Sequence, residues 1–263
     1  KQKRWPGWAT VTDILAPVSG TCHLPYRSSD CLAMTLYHFA LPALIVGLTG
    51  MAAAADEKPP AQRYQACLSK VEKFPKDAFE DAIQWGREGG GGPAEHCAAS
   101  ALMTLGLYAD AAKRLEALAQ SEKKGPRFKA SILAQAGQAW LLADNAARAE
   151  AVATTALQLM PNTPALLIAR ARARAERGDY VGAKADLDIA LVGTPGHPDA
   201  LAFRAAAFRF LDQTAAARAD IDAALARDPA HPEALLERGI LKRLADDKDG
   251  ARADWLKLLE IAP

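Results

Sequence analysis

Cys67, His96 and Cys97 have the side-chain types for redox or metal chemistry, and Cys22, His23 and Cys31 form a second such group near the start. A zinc site takes its ligands in closely spaced pairs, and a dithiol redox centre takes C-x-x-C. Neither spacing occurs here. Cys67 and Cys97 stand 30 residues apart, which leaves three readings: a structural disulfide, a redox-active thiol pair or, with His96, a metal site. In an oxidising compartment the disulfide is the expectation, and closing a loop of that size would stabilise by about 3–4 kcal/mol. Gly89 to Gly92 offer backbone amides to a phosphate. A P-loop needs Lys and then Ser/Thr after its last glycine, whereas Pro93 follows here, so the run reads as a flexible connection between helices. His197 and His231 each precede a proline in equivalent turns, and no nucleophile–base–orienter set stands out. The expectation is a protein without catalysis, cofactor or metal.

The elements that position these residues follow a period. From Ala130 to Pro263 one unit of 34 residues is written four times, starting at Ala130, Pro164, Pro198 and Pro232. Counting slots from each start, slot eight reads Gly137, Ala171, Ala205, Gly239, and slot twenty reads Ala149, Ala183, Ala217, Ala251. Slot thirty-two reads Pro161, Pro195, Pro229, Pro263. Small residues at two slots let paired helices approach closely, and leucines at slot four (Leu133, Leu167, Leu201, Leu235) flank that contact. Gly178 is the expected helix stop in the middle of its unit, within the turn Glu176 to Asp179. This pattern resembles the tetratricopeptide-repeat (TPR) family. The resemblance implies an all-α fold: a right-handed α-solenoid of helical hairpins. Gly92 to about Gln120 matches one more unit, with four extra residues around Ser121 to Phe128 expected as a longer polar turn. Cys67, Gly89 to Gly92, His96 and Cys97 look like the front end of exported bacterial TPR proteins.

Slots seven and twenty-three change type together: Ala136, Arg170, Arg204, Arg238 against Val152, Asp186, Asp220, Asp254. They read as structural ion pairs (Arg170–Asp186, Arg204–Asp220, Arg238–Asp254) or, alternatively, as a binding ladder of arginines. The resemblance further implies a concave groove lined by slots two, five, nine, twelve and thirteen. The partner-binding residues expected there are Gln138, Leu141, Ile168, Arg172, Arg209, Phe210, Ile240, Arg243 and Leu244. Three arginines among apolar groups suit an extended peptide or helix carrying acidic groups. The Lys and Asn with which the chaperone-binding branch of the family holds a C-terminal carboxylate are missing from these slots.

The chain has 263 residues, half of them apolar, with a net charge of +1. Residues 1–55 hold four basic and two acidic residues, so the remainder stands at −1. No global field points to nucleic acid. Residues 1–33 lack a helical period and read as an upstream or disordered segment. Residues 34–55 read as a signal peptide, with an apolar run from Phe39 to Met51 and small residues at Ala53 and Ala55, or alternatively as a membrane anchor. Residues 56–91 are assigned to a polar linker and an N-terminal capping hairpin, with a turn at Pro75, Lys76 and Asp77. Residues 92–263 are assigned to an array of about five repeats. Trp255, Leu258, Leu259 and Ile261 would leave an apolar end face, expected to be covered by further chain or by self-association.

These readings converge on a periplasmic interaction scaffold that binds a protein or peptide. A membrane-anchored assembly factor or chaperone-like module, serving secretion or cytochrome maturation and facing the periplasm, is the alternative if residues 34–55 are retained. A thiol enzyme at Cys67 and Cys97 is a third reading.

Overall fold

The computed structural model describes residues 59–261, and the readings for residues 1–33 and 34–55 lie outside them. Twelve α-helices follow in order: α1 (Pro60–Lys73), α2 (Pro75–Trp85), α3 (Gly91–Thr104), α4 (Tyr108–Ser121), α5 (Pro126–Leu142), α6 (Ala146–Leu159), α7 (Pro164–Glu176), α8 (Tyr180–Gly193), α9 (Pro198–Phe210), α10 (Thr214–Arg227), α11 (Pro232–Leu244) and α12 (Lys248–Ile261). They pack as consecutive pairs, each also against the next, and the described residues include no strand. No described helix is long and apolar enough to cross a membrane.

Five helices end by the same device. At slot fifteen, Gly106, Asp144, Gly178, Asp212 and Asp246 all have positive φ, from 59° to 81°. The next residue then donates its N–H back into the helix: Asn145 to the Trp140 carbonyl at 2.9 Å, Asp179 to Arg174 at 2.9 Å, Gln213 to Phe208 at 2.8 Å, Asp247 to Lys242 at 2.9 Å. This closure satisfies carbonyls that the helix leaves open, and glycine and aspartate tolerate the left-handed backbone it requires. Restarting is equally regular. Asn145 and Asp179 cap α6 and α8 through their side chains, and α7, α9 and α11 begin at prolines, whose missing N–H is no loss in a first turn.

Two connections differ from expectation. Pro75 to Asp77 form the first turn of α2, because proline at the first helical position starts a helix, and Phe74 alone separates α1 from α2. The four extra residues before the first full repeat are also largely helical. Pro126 starts α5 early, so α5 has 17 residues where α7 has 13, and only residues 122–125 remain as turn. The glycine run continues α2 through a π-helical turn, Gly86–Gly90, in which Gly89 has φ 94°.

The core lies between paired helices. The alanines at slot twenty are at most 1 % exposed, and a Cβ on Gly137 would lie 3.8 Å from the Ala149 carbonyl oxygen. Gly239 instead receives the Trp255 indole, whose N–H donates to the Leu236 carbonyl at 3.4 Å. Burying Leu187, Ile221 or Leu235 contributes about 1.5–3 kcal/mol each. At the amino end, Cys67 and Cys97 are disulfide-bonded, with Cα atoms 6.3 Å apart, and join α1 to α3 within a small cluster of Val71, Ala78, Ala82, Ala98 and Ala101.

Candidate partner-binding face

Slots seven and twenty-three meet inside each of the last three hairpins. Arg170 donates to Asp186 at 2.7 and 2.9 Å, Arg204 to Asp220 at 2.7 and 2.8 Å, and Arg238 to Asp254 at 2.6 and 2.9 Å. The three aspartates are buried, and each guanidinium supplies two parallel N–H donors to its carboxylate. Arg204 also reaches back to Asp188 of α8 at 2.9 Å, which ties one hairpin to the next. Lys242 adds a second cation to Asp254 at 2.9 Å. Burial opposes ionisation of Asp254, but Arg238 and Lys242 outweigh it and hold its carboxyl below the usual range. These geometries make the arginines of slot seven internal groups. In the first full repeat the same space is taken by Ala136 and Val152, both buried.

The first helices of successive hairpins approach one another: α5 touches α7, α7 touches α9, and α9 touches α11. This run of helices carries the residues expected in a groove, and the structure separates them. Arg172 of α7 donates to Gln138 of α5 at 3.1 Å and lies over the Phe203 ring of α9, 5.3 Å from its centre. Burial lowers the Arg172 pKa, opposed by Glu233, Asp199 and Glu176. Phe210 stacks on Tyr180, with ring centres 4.1 Å apart, and the Arg209 guanidinium lies over Phe210 at 4.2 Å. Ile168 is only 8 % exposed and belongs to the core, so its side chain serves the fold rather than a partner. Leu141 packs partly on that core and Ile240 is half-buried. Arg243 and Leu244 are exposed at the end of α11.

Four residues beyond those nine complete this face. Glu237 of α11 accepts both Arg209 hydrogen bonds, at 2.7 and 2.8 Å. His231 precedes α11 and joins Asp199 of α9, 2.8 Å from its Nε2, while its Nδ1 accepts the Ala234 N–H at 3.3 Å. The cap therefore places the ring proton on Nε2, which donates to Asp199. Burial opposes charge on His231, yet Asp199, Glu233 and Asp228 raise its pKa above the ordinary value. The His231 hydrogen bond lowers the Asp199 pKa, whereas burial raises that of Glu233. Ligand atoms of Asp199, His231 and Glu233 lie within 4.8 Å of one another, the spacing of a metal site. Both ring nitrogens of His231 are already engaged and Arg172 acts on the same carboxylates, so the group is an ion-pair network rather than a cation site. The sequence signals for this network were the histidine recurring before a proline and a lone acid at slot six, Glu237.

His96 of α3 plays a corresponding part near the disulfide. Its Nδ1 lies 2.8 Å from the Tyr64 hydroxyl of α1 and its Nε2 2.9 Å from Gln135 Oε1 of α5. Since Gln135 Oε1 can only accept, Nε2 carries the proton and Nδ1 accepts from Tyr64. With Cys97 in a disulfide, His96 is a structural tie between three helices rather than a metal ligand.

No family model matches the chain, and no curated protein matches it. Solved structures do. A tetratricopeptide repeat protein from Parabacteroides merdae ATCC 43184 aligns over 80 % of this chain and 81 % of its own, at TM-score 0.66 and 16 % identity. YrrB, a TPR protein with an unusual peptide-binding site, aligns over 68 % of this chain and 92 % of its own, at TM-score 0.53 and 16 % identity. TTC0263, a thermophilic TPR protein in Thermus thermophilus, aligns over 63 % of this chain and 88 % of its own, at TM-score 0.53 and 21 % identity. Repeated helical hairpins and these likenesses define the class: this chain has the tetratricopeptide-repeat fold.

Proposed function

We propose that this protein is a non-catalytic interaction scaffold that holds a peptide or helix of a partner protein on its first-helix face. The observation that carries this reading is Arg172. Among the described residues its side-chain hydrogen bond goes to Gln138, an uncharged partner, while Glu233, Asp199 and Glu176 act on it through space. Asp199 and Glu233 supply acceptors one and two hairpins further on. Donors and acceptors on successive rungs match the alternating C=O and N–H groups of an extended segment. The face is balanced in charge: Arg172, Arg209, Arg243 and His231 stand against Glu176, Asp199, Glu233 and Glu237. A partner with both signs of charge, rather than a purely acidic one, is the better fit. YrrB is an instance of this fold carrying a peptide-binding site.

We further propose that the scaffold works in the bacterial cell envelope, exported by residues 34–55. The Cys67–Cys97 disulfide supports an oxidising compartment.

The test is capture from envelope extract by the full chain, by Arg172→Ala/Arg243→Ala, and by Arg218→Ala, which changes an exposed arginine of α10. A partner held by the first and third and lost by the second supports the reading. Equal capture by all three removes the site from this face, and no capture by any refutes the scaffold in that extract. Mass spectrometry of the protein from cells tests export: free thiols at Cys67 and Cys97 in a cytoplasmic protein overturn it.

A further inference from the structure

A cleft of about 390 Å³ opens between α4, α5 and α6, on the side of the second helices and away from Arg172. Its position has a cause in the repeat. In the next three hairpins, slot seven is an arginine bonded to the aspartate of its own second helix. Arg204 also spans the gap to the second helix before it, bonded to Asp220 of α10 and to Asp188 of α8. In α5 that slot is Ala136, and its partner slot is Val152. The preceding second helix withdraws as well: slot twenty-eight is Leu157, Leu191, Leu225 and Leu259 in later helices but Ala119 in α4. Val152 and Ala119 both line the opening, which therefore lacks the aspartate and the isobutyl group of later hairpins, whereas Ala136 is fully buried and is not part of the lining.

The polar groups of the cleft select the sign of a ligand. Glu116 is already served, by the Trp140 indole N–H at 2.5 Å and by Arg148 at 2.8 and 3.3 Å. Lys129 lines the same cleft and has no carboxylate partner among the described residues. One acid against two cations leaves a net positive opening. Leu133, Val152 and Leu159 provide an apolar wall beside it.

We propose that this cleft binds a small amphiphilic carboxylate, with its carboxylate on Lys129 and Arg148 and its aliphatic stem against Leu133, Val152 and Leu159. The volume is within the range of small-molecule sites, and a buried stem with one charge-assisted anchor suits a ligand of about eight carbons. This site is independent of the first-helix face and stands or falls separately from it.

The experiment is a titration of the full chain with octanoate and, separately, octylamine. It is followed by calorimetry and by the NMR signal of the Trp140 indole N–H, assigned by its loss in Trp140→Phe. Octanoate at about 1 mM, an ordinary affinity for a ligand of this size, should move that signal, and octylamine should not. Lys129→Met should weaken octanoate by about tenfold, the loss of one charge-assisted contact. Ala119→Leu restores the leucine that slot twenty-eight carries in later helices and fills the opening. It should abolish binding while the circular dichroism and melting transition are kept. Octanoate binding unchanged in both variants, tighter binding of octylamine, or no response to octanoate up to about 10 mM, overturns the proposal.

Discussion

Arg209 and Glu237 form a two-pronged ion pair between α9 and α11, at 2.7 and 2.8 Å, with the side chains only 14 % and 6 % exposed. An arginine expected to receive a partner's carboxylate is thereby held by a carboxylate of its own array. The pair crosses from one hairpin to the next, so it also fixes how two repeats stack. Removing one partner strands a buried charge. Glu237→Ala should destabilise by about 3–5 kcal/mol in urea unfolding, and Arg209→Met/Glu237→Met should recover most of that loss. Equal stability of Glu237→Ala and wild type would show that the pair is solvated in solution.

The Asp199–His231 pair makes stability depend on pH in a definite window. The His231 pKa is raised in the folded state despite burial, because Asp199, Glu233 and Asp228 favour its cation. Its contribution is therefore full below the unfolded value of about 6.5 and is lost as pH rises through the folded value. The Asp199 pKa is lowered, chiefly by its bond to His231, so its contribution is present above about 3.9 and is lost as pH falls through the folded value. A double-mutant cycle of Asp199→Asn and His231→Gln should give its largest coupling between those limits, near about pH 5.5, and a smaller one near about pH 8.5. A coupling that rises with pH reverses the assignment. Protonation also removes the Nδ1 lone pair that accepts the Ala234 N–H and turns that nitrogen toward Glu233, 3.6 Å away.

Gly178 and Gly125 both have open space where a Cβ would go, but their backbones differ: φ is 81° at Gly178 and −62° at Gly125. Gly178→Ala should destabilise by about 1–2 kcal/mol, the steric cost of the left-handed conformation. Gly125→Ala should lie within about 1 kcal/mol of wild type, because the reduced entropy of the unfolded chain offsets the weaker N-cap that alanine gives α5. Thermal melts of the two variants separate them, and a shift of the same sign and size in both would contradict the turn geometry.

Reduction of the Cys67–Cys97 disulfide should loosen the amino end alone. Cys67→Ser/Cys97→Ser should lower stability by about 3–4 kcal/mol, with amide exchange accelerated in α1 and α2 and unchanged in α9 to α12. Such locality follows from a solenoid, where each hairpin touches only its neighbours. Accelerated exchange along the whole array would show a single cooperative unit instead.

Much of the fold was legible in the sequence because every hairpin solves the same local problem. Alanine or glycine at slots eight and twenty, a left-handed residue at slot fifteen and proline at the head of α7, α9 and α11 act within a few residues of themselves. A 34-residue period displays that chemistry four times over. Even the Arg170–Asp186 separation of 16 residues recurs in the next two hairpins, so a pattern of paired residue types was readable where a contact was not. Pro75 and Pro126 read as turn residues in the sequence, because proline belongs both to turns and to the first turn of a helix, and only the packed neighbours decide between them. Contacts between hairpins had no such local signal. That Arg209 meets Glu237, that His231 meets Asp199, and that Ala119 and Val152 face one cleft depend on the rotation of one hairpin against the next. That rotation is set by the summed packing of side chains far apart in the chain, so the sequence by itself determined the repeated unit, and tertiary structure alone decided which of its charges are spent on one another.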